Sequence, residues 1–231
     1  MEEESERLVG EMAQTIGPSV WWGIVDACIR HGFVDLDELT DAEVIDAALL
    51  GFMDQTDSTA ATVDGEVQWS DDDVHIVVDH LDALLQKAAE AMQANEHWFA
   101  ILFYATWLEH WVNQVLMSLC VRSGVPEGVA VALVRSCSFN LKLKDVWKSL
   151  GAEPIEREYL RIMNDLMEFR NGFVHYKWQA RTFSDKDAYD RRVEEVAVSA
   201  QGLVPILGDL EDQLLFSGRR KALRARLGLT E

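Results

Sequence analysis

Apolar residues along this chain recur at three- and four-residue intervals, the period of helices packed by one face. The first such stretch covers residues 5–30, with Leu8, Met12 and Ile16, then Trp21, Trp22, Val25 and Ile29. Gly17-Pro18-Ser19 interrupts it, and Pro18 suits the first turn of a second helix, where its missing N–H has no partner to lose. His31-Gly32 closes that helix. Val44, Ile45, Ala48 and Leu49 predict a helix over Asp41–Phe52, capped by Asp37 or Thr40 through a side-chain oxygen. Residues 54–73 lose the period, and Asp64-Gly65 signals a turn. Val63 to Trp69 fits a small hairpin or a plain loop. Ser70-Asp71-Asp72-Asp73 reads as an acidic cap for a helix from about Val74.

The pattern then runs long. Val77, Leu81, Leu84, Leu85 and Ala88 are followed by Trp98, Leu102, Ala105, Leu108, Val112, Val115 and Leu119, with Asn95 as a candidate break. Ser123-Gly124-Val125-Pro126 ends it. Shorter helices are predicted over Glu127–Ser136 and Leu141–Leu150, the second stopped by Gly151. Pro154 is expected to start a long helix carrying Tyr159, Ile162, Met163, Leu166, Phe169, Phe173 and Val174. Residues 180–187 read as a loop. A last helix runs from about Asp187 to Phe216, softened near Gly202–Pro205. Arg219, Arg220, Lys221, Arg224 and Arg226 form a basic tail. No stretch repeats another. The fold class is all-α.

Composition sharpens this picture at one place. With 231 residues, 48% of them hydrophobic, the chain can bury a sizeable core. The net charge of −19 is uneven: residues 1–90 hold 22 Asp and Glu against three Lys and Arg, while residues 91–231 hold 18 of each. The expected division is therefore a small acidic helical module over residues 1–90 and a helical bundle over 91–231. The acidic module repels nucleic acid; it can dock on a basic protein partner or shield a basic surface of its own chain. A solvated acidic surface that aids solubility is the plainer reading. The basic tail can track an RNA backbone, tie down onto the acidic part, or fray.

Cys28, Cys120 and Cys137 are widely spaced in apolar surroundings, which argues against a disulfide framework or a thiolate metal site. Met1-Glu2-Glu3-Glu4 is no signal peptide, and the apolar run Trp98–Leu108 is too short to span a bilayer. A cytoplasmic location without membrane contact is expected.

Candidate chemistry concentrates in Phe169-Arg170-Asn171-Gly172-Phe173-Val174-His175. A histidine can take the proton from a ribose 2′-hydroxyl, and an arginine can hold the charge that builds on the attacked phosphate. On a helix Asn171 and His175 share a face, whereas Arg170 lies about 140° from His175. Two copies crossing at a two-fold interface can bring Arg170 of one chain to His175 of the other. Gly172 permits close backbone approach or a bend. In the competing reading Arg170 pairs with Glu168 or Glu109, and His175 is a satisfied interface histidine. His75 and Asp79, four apart, with His80 beside them, lack a third metal ligand at persuasive spacing. His31 and His97 read as helix-end residues. No glycine loop for phosphates or dinucleotides is present, so no cofactor or metal is expected. The aromatic stripe Trp98, Phe99, Phe103, Tyr104, Trp107, Trp111 covers more than one helix face, reading as core and, by its breadth, as an oligomer interface.

The run from Arg170 to His175 resembles the Arg-polar-x-x-x-His signature of HEPN domains. Glu109 and Asn113 on the preceding long helix, and Leu141–Trp147 in the short-helix region, are similar to other parts of that family. The resemblance covers about residues 90–220. It implies a HEPN-like bundle acting as a homodimeric, metal-independent endoribonuclease on tRNA or mRNA, leaving 2′,3′-cyclic phosphate and 5′-hydroxyl ends. It also implies a toxin or phage-defence role; it does not extend to residues 1–90, whose acidic charge is the candidate contact for an antitoxin or other protein partner. Arg170 and His175 would be the catalytic pair and Asn171 the polar residue that orients the histidine or contacts phosphate. Tyr176 and Lys177 are the candidate substrate contacts, and Glu109 a possible support. One toxin branch carries a modifiable tyrosine two positions after the histidine. Lys177 stands there in this chain, which departs from that mechanism. The resemblance equally admits a catalytically inactive adaptor or dimerisation unit in a larger complex.

Overall fold

The computed structural model describes residues 17–63, 66–69, 80–174 and 183–229. The expected helix before Gly17, the cap at Asp71–Asp73, and His75, Asp79, His175, Tyr176, Lys177 and Trp178 lie outside the described residues. The fold is all-α with one short hairpin. Its helices are α1 (Pro18–Arg30), α2 (Asp41–Thr59), α3 (Leu81–Gln93), α4 (His97–Arg122) and α5 (Glu127–Ser136). Then come α6 (Phe139–Leu141), a π-helical turn (Lys142–Val146), α7 (Trp147–Ser149), α8 (Arg157–Val174), α9 (Phe183–Phe216) and α10 (Arg220–Arg226). β1 (Ala60–Val63) and β2 (Glu66–Trp69) pair antiparallel, Ala60 opposite Trp69. No described helix is long and apolar enough to cross a membrane.

The chain forms two compact units, Met1–Val77 with Glu211–Glu231, and Val78–Leu210. The charge step near residue 90 does not coincide with this division. Composition records which residues are acidic, whereas the units follow packing: α3 lies against α4 and so belongs with the second unit.

In the first unit, Pro18 opens α1 as expected, and α1 turns its Trp21, Val25 and Ile29 inward. Gly32, at φ 71°, takes the left-handed turn after the helix. Thr40 rather than Asp37 caps α2. Its N–H and hydroxyl both donate to Glu43, and Glu43 N–H donates to the Thr40 hydroxyl at 3.4 Å, a reciprocal capping box. Val44, Ala48 and Leu49 on α2 are buried. The basic tail ties down within this unit. Arg219 donates to Asp41 at 2.8 Å and to the Leu36 carbonyl at 2.6 Å. Glu211, only 6% exposed, receives Arg30 at 2.7 Å and Arg220 at 3.1 Å. The Phe216 ring sits under the Arg220 guanidinium at 4.2 Å and stacks on Trp22 at 5.9 Å.

The second unit is built on α4. Ala100, Ile101, Ala105, Leu108, Trp111, Val112, Val115 and Leu116 are all buried, and a narrow stripe through Phe99, Thr106 and His110 is exposed, so most of the helix surface is covered by its neighbours. Asn95, at φ 57°, turns the chain from α3 into α4. Gly151, at φ 76°, ends the α6–α7 segment, whose buried Trp147 donates to the Glu153 carbonyl at 2.8 Å. Pro154 does not start α8. Ile155 is buried ahead of the helix, and the first helical bond runs from Leu160 N–H to the Glu156 carbonyl. α9 begins at Phe183, earlier than the loop expected through residue 187, and continues through Pro205 without a break.

A polar groove beside the motif helix as the candidate functional site

α8 carries the motif because its apolar positions recur on one face. Met163, Leu166, Met167, Phe169 and Gly172 are buried, leaving Glu168 and Asn171 exposed on another. Its C-terminal half is held by an aromatic cluster. Trp98 stacks on Phe173 at 5.2 Å, and Phe169 on Tyr189 of α9 at 6.3 Å. Burial, with Asp190 nearby, pushes the Tyr189 hydroxyl up to about 12, so it stays a neutral packing group. Arg192 of α9 reaches Asp165 of α8 at 2.7 Å and lies 6.0 Å over the Phe169 ring.

Arg170 points toward α4 and donates to Glu109 at 2.5 Å. This settles its partner as Glu109, not Glu168. Arg170 is 25% exposed and Glu109 42%, so the pair sits at a wet boundary rather than in the core. The carboxylate fixes where the guanidinium fork points, and it also cancels the site's positive charge. One turn further along the same face of α4, Asn113 accepts a 2.7 Å bond from buried Lys142. Glu109 and Asn113 are four residues apart, so α4 presents two cation anchors in a row. The Lys142 bond pins the π-helical turn to α4. Such turns place an extra residue in the helix and often shape functional sites.

The other side of α8 faces an open groove of about 780 Å³, lined by residues of the α6 region and of α8. Ser138, Phe139, Asn140 and Lys144 form one wall, while Asn164, Met167, Glu168, Asn171 and Gly172 form the other. Ser138 also caps α6, accepting from Leu141 N–H. Of the sequence-predicted site residues, Arg170 and Glu109 come together, and Asn171 turns to the groove. His175, Tyr176 and Lys177 lie outside the described residues. Sequence reasoning did not assign a site role to Asn140, Lys144 or Asn164. Isolated polar residues carry no periodic signal, and only the packing of the α6 region beside α8 unites them.

The aromatic stripe of α4 divides. Tyr104, Trp107 and Trp111 are buried, whereas Phe99 is 52% exposed. His31 caps the C-terminus of α1 and His97 opens α4. Cys28 and Cys120 are buried, which raises both thiols above their ordinary range and leaves them unreactive. Among the described residues no group of three or more His, Cys, Asp or Glu is placed to hold a metal ion.

Comparison with protein-family models, curated proteins and solved structures returned no match.

Proposed function

We propose that this chain is a metal-independent endoribonuclease that works as a homodimer, with composite sites built from Arg170, Asn171 and His175. The observation that carries the reading is the setting of Arg170. It stands five residues before His175, at the end of a helix rigidly packed on α4 and α9, oriented by Glu109 and beside a polar groove. A guanidinium held by one carboxylate is ready for a phosphoryl oxygen without first losing side-chain freedom. Asn171 projects toward the groove, where it can contact the ribose or phosphate of a strand. His175 is the general base for the 2′-hydroxyl, whose oxygen bonds to the adjacent 3′-phosphorus to form the 2′,3′-cyclic phosphate as the P–O5′ bond breaks. The leaving 5′ oxygen takes a proton from protonated His175 or water to become the 5′-hydroxyl. A toxin or defence role on tRNA or mRNA in the cytoplasm fits this activity, with the acidic N-terminal residues as the contact for a protein partner.

Two observations favour the adaptor reading. Arg170 and Glu109 neutralise each other, and Phe99, Phe173 and Val174 leave apolar surface exposed, as a docking unit would.

Subunit mixing tests the proposal. Arg170→Ala and His175→Ala are each expected to be inactive on labelled RNA. Co-refolded or co-expressed, they should regain about a quarter of wild-type activity, because half the dimers then hold one intact composite site. Full activity of His175→Ala alone would overturn the nuclease reading, and a dead mixture of two dead variants would overturn the shared site.

A further inference from the structure

Asn140, Lys144, Glu168 and Asn171 all line the groove, and none of their side chains makes a hydrogen bond or ion pair among the described residues. Two other charges on α8 are already paired, Arg170 with Glu109 of α4 and Asp165 with Arg192 of α9. Lys144, Glu168, Asn140 and Asn171, two charged and two amide side chains lining the groove, are thus left unpaired among the described residues. Phe139 and Met167 add a ring face and an apolar floor. An aromatic ring, amides and one ammonium are what a flexible single strand needs: stacking for a base, hydrogen bonds for its edge, and a cation for its phosphate. A volume of about 780 Å³ is ample for one nucleotide.

Glu168 narrows the choice. A carboxylate repels phosphate, so in a strand-binding groove it marks the end where the base lies. Ionised, it only accepts, and its two oxygens take two parallel N–H donors. Guanine is the RNA base that presents two such donors side by side on its Watson–Crick edge, N1–H and the N2 amino group. Cytosine and adenine offer an amino group beside an acceptor, and uracil offers a single N–H. Asn140 and Asn171 can then meet the remaining guanine acceptors, O6 and N7, with their amide N–H groups.

We propose that the groove seats one unpaired guanine nucleotide of single-stranded RNA, with the base edge on Glu168 and the phosphate on Lys144. It rests on the nuclease reading in one respect, that the seated nucleotide neighbours the phosphate to be cut. The substrate class is then single-stranded RNA with a guanine beside the cleavage position.

The test titrates GMP, AMP, CMP and UMP into the full-length ¹⁵N-labelled protein and follows backbone amide shifts. GMP should bind about tenfold or more tighter than the others, shifting amides of residues 138–144 and 164–172. Glu168→Gln should remove the preference, and Lys144→Ala should weaken GMP but leave guanosine unchanged. Both side chains are exposed, so these variants should keep the wild-type circular dichroism spectrum. Equal binding of all four nucleotides, shifts elsewhere, or a preference that survives Glu168→Gln would overturn the proposal. If GMP seats in the groove but RNA is never cut, the nuclease reading fails and the groove stands. If RNA is cut without guanine at the cut position and GMP does not bind, the groove fails and the nuclease stands.

Discussion

Replacing Glu211 should destabilise the first unit more than any other single charge change. Its carboxylate is 6% exposed and receives Arg30 at 2.7 Å and Arg220 at 3.1 Å. Removing one partner of a buried ion pair costs about 3–5 kcal/mol, because the other charge is left unpaired. Here the two arginine side chains are 21% and 23% exposed, so water can solvate part of the released charge. The lower end applies, about 3 kcal/mol for Glu211→Ala. Glu211→Gln keeps the shape and can still accept one bond, which recovers about 1 kcal/mol. For a chain of this size each kcal/mol moves the thermal midpoint by about 2–4 °C, so Glu211→Ala should lower it by about 6–12 °C. The pH dependence follows from the depressed carboxyl. Burial alone would raise its pKa, but Arg30 and then Arg220 more than offset this and hold it below the usual glutamate range. A group lowered on folding contributes stability above its unfolded pKa of about 4.3, and that contribution is lost as pH falls through the folded value. The gap between wild type and Glu211→Gln should therefore be full at pH 7 and shrink under acid. Thermal melts followed by circular dichroism and tryptophan fluorescence would measure both. A Glu211→Ala midpoint within about 2 °C of wild type at pH 7 would refute the reasoning.

Three further outcomes are expected. Asn113→Leu should cost about 1–3 kcal/mol in urea denaturation by stranding the Lys142 ammonium, and Lys142→Met in that background should restore most of it. An uncorrected double variant would mean that the bond does not hold the π-helical turn. Glu109→Ala, at a half-exposed pair, should cost less than about 1 kcal/mol of stability, yet lower RNA cleavage at least about tenfold through kcat. A drop in stability that matches the drop in activity would make Glu109 merely structural. Gly218→Ala should destabilise by about 1–2 kcal/mol, since its φ of +74° strains any L side chain and a Cβ would lie 2.8 Å from the Gln213 amide nitrogen. A thermal midpoint equal to wild type would contradict that strain.

The helices were legible because most bury one face. Val25 and Ile29, or Met163 and Leu166, repeat at spacings that only an α-helix turns to one side. α5 falls on Glu127–Ser136, as its pattern predicts. The start of α8 was not legible at Pro154, because the side chain that decides it, Ile155, is drawn into the core by packing that sequence spacing does not encode. The compact units follow packing rather than charge for a related reason. Charge marks residues 1–90 as acidic, yet the C-terminal arginines fold onto Asp41, Glu211 and the Phe216 ring, contacts that span up to 178 residues of chain. At the candidate site Arg170 was visible as part of a spaced motif, and Glu109 as one of two carboxylates able to reach it. Lys144 and Asn140 were not, because exposed polar residues gain their meaning from what folds opposite them.

The most direct test of the central claim is incubation of the purified full-length protein with labelled RNA in excess EDTA, wild type beside His175→Ala. Cleavage by wild type alone, leaving 2′,3′-cyclic phosphate and 5′-hydroxyl ends, is the predicted result. Cleavage that vanishes with EDTA, or that both proteins perform equally, would contradict the account.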